Sequence, residues 1–122
     1  MSLSRFRLWT LPLALLVAAS AIAVVGCEAA DAANLDAQII EPSAFNPATW
    51  GYAPEPAVVM AGDTVTWANT GNAPHTVTAY DGSFDSGIML SGQSWTLTTW
   101  APGEYSFYCT LHPDMIGTLI VQ

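Results

Sequence analysis

Along Asp63-Thr64-Val65-Thr66-Trp67-Ala68-Asn69 the side chains alternate, Val65 and Trp67 going to one face and the threonines to the other. Apolar and polar faces repeating every second residue predict a half-buried strand. The same period returns in His75-Thr76-Val77-Thr78-Ala79, in Ser94-Trp95-Thr96-Leu97-Thr98 and in Glu104-Tyr105-Ser106-Phe107-Tyr108-Cys109. Turn residues separate these runs at Ala61-Gly62-Asp63, Asn69-Thr70-Gly71-Asn72, Asp81-Gly82, Ser91-Gly92 and Pro102-Gly103. Shorter candidates at 38–41, 57–60 and 116–121 bring the expected count to seven or eight strands. With no helical period beside them and no internal repeat, the pattern predicts an all-β domain, a two-sheet antiparallel Greek-key sandwich.

The first residues follow a different pattern. Arg5 and Arg7 precede an apolar run at 13–25 that ends at Gly26-Cys27, the layout of a secretory signal. Val24-Val25-Gly26-Cys27 resembles the lipobox of bacterial lipoproteins, in which the signal is removed and the cysteine becomes the lipidated N-terminus. Residues 28–37 are mostly Ala, Asp and Asn with no apolar period. The expected organisation is therefore a signal peptide at 1–26, lipidated Cys27 and a flexible tether at 27–36, and one domain at 37–122, a length that folds on its own. An uncleaved anchor is the alternative, since 8–25 reaches the lower edge of a spanning length. A Cys27–Cys109 disulfide is a third. Either N-terminal reading puts the domain outside the cytoplasm at a membrane surface, in the periplasm or on the outer face of the cytoplasmic membrane.

Charge narrows the partners. The formal net charge is −8, and Arg5 and Arg7 are the only two basic residues, so loss of the signal makes it more negative by two. Nothing remains to neutralise phosphates, which excludes nucleic acid. An anionic bilayer repels such a domain, leaving the lipid as the means of attachment, and stable attachment takes more than one acyl chain. The acidity serves solubility or steers toward a cationic partner.

Candidate chemistry is concentrated near the C-terminus. Cys109-Thr110-Leu111-His112-Pro113-Asp114-Met115 places a thiolate, an imidazole and a thioether in one short loop, and His75 stands on an earlier strand. Two imidazoles and a cysteinate with a weak axial methionine are the ligand set of blue-copper electron-transfer sites. Register supports convergence: Cys109 shares a face with Tyr105 and Phe107, His75 with Val77, and Met115 with Leu119 and Val121. Singly, each residue has a plainer reading as core filling. The chain has only two histidines, and both fall in this pattern.

At these residues the chain resembles the cupredoxins, small type 1 copper proteins of the plastocyanin and amicyanin group. Gly62-Asp63-Thr64-Val65-Thr66-Trp67, Asn72-Ala73-Pro74-His75, Phe84-Asp85-Ser86-Gly87 and the cysteine loop occur in that group's order, and the spacing from Cys109 through His112 to Met115 is the short loop of amicyanins. The resemblance implies one type 1 copper ion held by His75, Cys109, His112 and Met115, with Asn72, Pro74 and Thr76 supporting the ligands. It implies outer-sphere electron transfer, a membrane-tethered one-electron carrier between redox partners. His75 is then the deeper ligand and His112 the electron port, with Ala73, Met89, Leu90, Leu111 and Pro113 as an apolar docking surround. Such a patch with a charged rim suits brief docking of a redox protein with a cationic face. No small-molecule substrate is implied, and a monomer is expected. Two departures stand out. Thr76 replaces an asparagine common in the group, and its hydroxyl is expected to tie the two ligand loops together instead. Asp114 replaces an apolar residue and puts charge beside His112. Catalysis is not expected, because copper enzymes of this fold need further histidines. A copper-binding carrier or storage lipoprotein and a structural zinc site are the alternatives.

Overall fold

Eight strands carry the regular structure of residues 31–122, the part of the chain that the computed structural model describes. They are β1 (Asn34–Ile40), β2 (Gly51–Ala53), β3 (Ala57–Val59), β4 (Thr64–Asn69), β5 (Thr78–Ala79), β6 (Ser94–Thr98), β7 (Gly103–Tyr108) and β8 (Ile116–Val121), with one 3-10 turn at Pro47–Thr49. The expected signal peptide and Cys27 lie outside the described residues. Among the described residues no helix is long and apolar enough to cross a membrane.

The strands form two four-stranded sheets, in the orders β2-β1-β4-β6 and β3-β8-β7-β5. The sandwich and the number of strands match the expectation. Both sheets are mixed, however: β1 runs parallel to β4, and β3 parallel to β8. Parallel neighbours need a crossover. Here the chain leaves β1, turns through β2, passes to the other sheet as β3, and returns as β4 in the direction of β1. β1 also opens at Asn34, ahead of residue 37, where the domain was expected to begin. The alternation reaches back that far, with Leu35 half-buried and Ala37 and Ile39 buried. The Asn34 side-chain oxygen accepts from the Thr64 and Thr66 hydroxyls.

The core between the sheets is built on aromatic rings. Trp67, fully buried in the middle of β4, stacks on Trp95 and Phe84 and meets Phe107 edge-on. Tyr52 of β2 also meets Phe107 edge-on, at 4.8 Å between centroids. Phe107 pairs in register with Gly117 of β8, where a Cβ would run into its ring. Burial, with Cys109 and Tyr80 adding to it, pushes the Tyr52 phenol well above its ordinary range. The phenol stays protonated and donates to the Thr76 carbonyl at 2.6 Å, holding the backbone beside His75.

Candidate metal centre

Cys109 follows the last residue of β7 and Met115 precedes the first of β8, so the hairpin between two core strands is itself the ligand loop. Its ends are bound together by the Cys109 N–H donating to the Met115 carbonyl at 3.0 Å. Inside it, His112 N–H donates to Cys109 O and Met115 N–H to His112 O, giving two successive tight turns. Residues at every third position are thus gathered on one side of the loop. Cys109 and Met115 are buried, whereas His112 is half-buried.

His75 reaches the same point from the segment that leads into β5, the strand paired with β7. Only Thr78 and Ala79 of the expected 75–79 strand join the ladder as β5. His75 is held instead by a two-bond bridge to Met89, N–H to carbonyl at 3.0 Å and 2.8 Å. Asn69, buried at the end of β4, organises the intervening turn: its amide nitrogen donates to the Ala73 and Met89 carbonyls, and its oxygen accepts from Gly71 N–H.

The donor atoms of His75, Cys109 and His112 all lie within 4.8 Å of one another. His75 Nδ1 is 3.8 Å and His112 Nδ1 3.5 Å from Cys109 Sγ. Metal–imidazole bonds of about 2.0 Å and metal–thiolate bonds of about 2.3 Å meeting at roughly 120° separate nitrogen from sulfur by about 3.7 Å. The spacing therefore fits a trigonal ion among these three atoms, with the buried Met115 side chain alongside. The sulfur also accepts the Thr76 N–H at 3.4 Å.

Thr76 joins the two ligand loops. Its hydroxyl oxygen accepts the Thr110 N–H at 2.9 Å, and the hydroxyl itself points to Thr110 Oγ1 at 3.3 Å. Pro74 and the Asn72 side chain stay exposed beside the site, but the Asn72 backbone N–H points inward, to a partner absent from the expected set.

That partner is Glu41. Its side chain is only 4 % exposed, and its Oε1 lies 2.7 Å from His75 Nε2. The carboxylate also accepts the N–H groups of Asn72 at 3.0 Å and Ala73 at 2.8 Å. Burial opposes its charge, but the Asn72 N–H, the His75 imidazole and the Ala73 N–H outweigh burial and hold the carboxyl below its ordinary range. For His112, burial and then the neighbouring His75 depress the imidazole pKa, with Glu41 partly opposing them. The signal for Glu41 was present in the sequence: it continues the inward series Leu35, Ala37, Ile39 by one more step of two.

Trp50 is the other unanticipated neighbour. Anchored through Nε1 to the Ser43 carbonyl at 2.7 Å, it stands edge-on to both histidines, at 5.4 Å from His75 and 4.8 Å from His112. Nothing in the local pattern marks it. An open groove of about 250 Å³ runs past His112, lined by Pro47, Ala48, Pro113, Asp114 and Met115. Of the expected apolar surround, Leu90, Leu111 and Pro113 are exposed and Ala73 is half-buried. Met89 is a correction: its side chain is buried, because the bridge to His75 turns it into the core, and it belongs to no docking face.

A β-sandwich carrying a cysteinate, two imidazoles and a methionine at one end defines the class of mononuclear type 1 copper proteins. The chain belongs to the cupredoxin-like domain family, which matches residues 14–121. It is 35% identical over 69 residues to amicyanin-alpha of Methylorubrum extorquens, covering 52% of this chain and 58% of that one. It is 29% identical over 84 residues to the chloroplastic plastocyanin of Tetradesmus obliquus, covering 58% of each. The chain thus spans little more than half the length of these curated relatives. Among solved structures, an amicyanin variant in its Cu(I) form superposes with a TM-score of 0.59 at 32% identity, over 78% of this chain and 87% of that one. A purple cupredoxin from Nitrosopumilus maritimus shares the fold, with a TM-score of 0.62 at 23% identity, over 72% and 99%.

Proposed function

We propose that this protein is a one-electron carrier that holds a single type 1 copper ion through His75, Cys109 and His112, with Met115 as the weak axial ligand. The observation that carries the reading is the pair of imidazole Nδ1 atoms at 3.8 Å and 3.5 Å from one buried thiol. Bound copper supplies the one-electron couple. The chain's part is to fix the donors in one geometry for both oxidation states. Cys109 is held by its backbone and by Thr76, and His75 by the Met89 bridge. His112, half-buried at the groove, is the route for the electron. Exposed Leu90, Leu111 and Pro113 form its docking surround, and Asp114 gives that face a negative rim for a redox protein with a cationic surface. The family resemblance to amicyanins and plastocyanins supports a carrier and not an enzyme. Burial of Cys109 and His75 favours electron exchange over metal delivery.

The remaining elements of the reading concern placement. Residues 1–26 are a cleaved signal, Cys27 is lipidated, and the few residues before β1 tether a monomeric domain to the outer side of a membrane. Mass measurement of the native protein and its release by detergent test this part.

The function is tested by loading the purified protein with cupric ion, recording its visible spectrum and titrating it with reductant. An intense thiolate-to-copper band that bleaches reversibly with one electron is expected. Absence of that band overturns the copper reading, a colourless zinc-only protein points to a structural site, and rapid copper loss to a chelator points to a carrier of the metal.

A further inference from the structure

We propose that Glu41 is a positioning residue of the copper centre, whose carboxylate, seated in the space left by Gly71, locks His75 with Nδ1 toward the ion and biases the centre toward its cupric form. The inference rests on the copper reading above. Four observations carry it.

Oε1 of Glu41 lies 2.7 Å from the His75 nitrogen that faces away from Cys109, so an N–H there donates to the carboxylate and leaves Nδ1 as the bare, metal-facing nitrogen. Asn72 and Ala73 N–H groups fix both carboxylate oxygens, so the acceptor is itself positioned. Gly71 makes room: a Cβ there would fall on the Glu41 carboxylate. Finally, the chain has no lysine or arginine after Arg7, so no cationic side chain of the domain offsets this buried charge. A buried carboxylate is retained only with compensation, and here that comes from N–H groups and from the imidazole. Through the imidazole it reaches the ion. A negative charge at the far side of a ligand ring stabilises the more highly charged oxidation state, and Glu41 enters from the end of β1, so the bias is built into the sandwich and not into the ligand loop.

The test uses the full chain and four variants. Glu41→Gln keeps an acceptor of the same shape but removes the charge. Gly71→Ala keeps the charge but displaces it. In the copper-loaded proteins both are expected to raise the reduction potential, by an amount equal to about a tenfold gain of the cuprous over the cupric form, or about 59 mV for one electron. The double variant is expected to show less than the sum of the two shifts, since both remove one interaction. A purely structural role for Glu41 leaves the Glu41→Gln potential where it was. In the metal-free protein, nitrogen NMR is expected to find the His75 proton on Nε2 in the native chain and lost from that fixed position in Glu41→Ala. A native protein with the coloured band but an unshifted or lowered potential in Glu41→Gln, or with Nδ1 protonated in the native metal-free chain, overturns the inference alone. A native protein without the band overturns the copper reading, and this inference with it.

Discussion

On one wall of the centre His75 is wholly buried, bridged to Met89 on one side and bonded to Glu41 on the other. On the opposite wall His112 is half exposed, carried by turns within a short loop and steadied by the edge of Trp50. The same ring nitrogen of the same residue type faces the same sulfur, yet one wall is tied into both sheets and the other opens on a groove. The one-electron carrier proposed above would need both: a wall that keeps the donors from rearranging when charge changes, and a wall thin enough for a partner to approach. The difference lies in what stands behind each imidazole and not in the imidazoles.

The sharpest way to break this contrast is to replace each histidine with glycine and offer free imidazole. His112→Gly is expected to recover the coloured band, because the groove admits the ligand. His75→Gly is expected to stay colourless. Its metal-free form should also lose about 1–3 kcal/mol in denaturant unfolding, because the Glu41 carboxylate is left without its ring partner. Equal recovery in both variants would show the two walls to be alike.

Next in size is the link between the walls. Thr76→Val removes the acceptor of the Thr110 N–H and is expected to cost about 1–3 kcal/mol by the same measurement, while Thr76→Ser retains most of the native stability. A Thr76→Val protein as stable as the native one would mean that the loops do not depend on this tie.

Trp50→Ala removes the ring that stands edge-on to both imidazoles, the nearer being His112. Losing an edge-on ring contact is expected to lower stability by about 0.5–1.5 kcal/mol and to speed copper release to a chelator, without altering the His75 Nε2 proton seen by NMR. The smallest effect lies outside both walls. Hydrogen bonds from the Ser83 hydroxyl and N–H hold the Asp81 carboxyl below its ordinary value of 3.8. The folded protein therefore binds that proton less readily than the unfolded chain, so the contribution is present above pH 3.8 and is lost as pH falls through the folded value. Asp81→Asn is expected to be slightly less stable than the native protein near neutrality, with the gap closing in acid and with no change in the copper band.

Much of the site could be read before the fold was seen, and the reason is local. Cys109, His112 and Met115 fall in one short loop, where spacing alone brings residues together. Thr76 could be expected to tie the loops because it adjoins a ligand. Met89 lies in the core and not on the expected docking surround, because an apolar residue after a turn gives no sign of whether it faces a partner or the core; its bridge to His75 decides that. Glu41 is not legible as a site residue because a charged residue ending a strand ordinarily marks the surface, and only the Asn72 and Ala73 N–H groups, far along the chain, make its burial tolerable. The early opening of β1 was hidden because Asn34, Asp36 and Ala37 dilute the alternation, until pairing with β4 supplies the missing hydrogen bonds.

By itself the sequence determined the period of two, the turns, the absence of positive charge from the domain and the chemical identity of the donors, since each follows from residue type and short-range spacing. Only the tertiary structure decided which distant residues meet: His75 against Cys109, Glu41 in the space beside Gly71, Trp50 over both rings, and the parallel pairs that let β1 deliver Glu41. These depend on how two sheets pack, a balance over the whole core that no single stretch of chain contains.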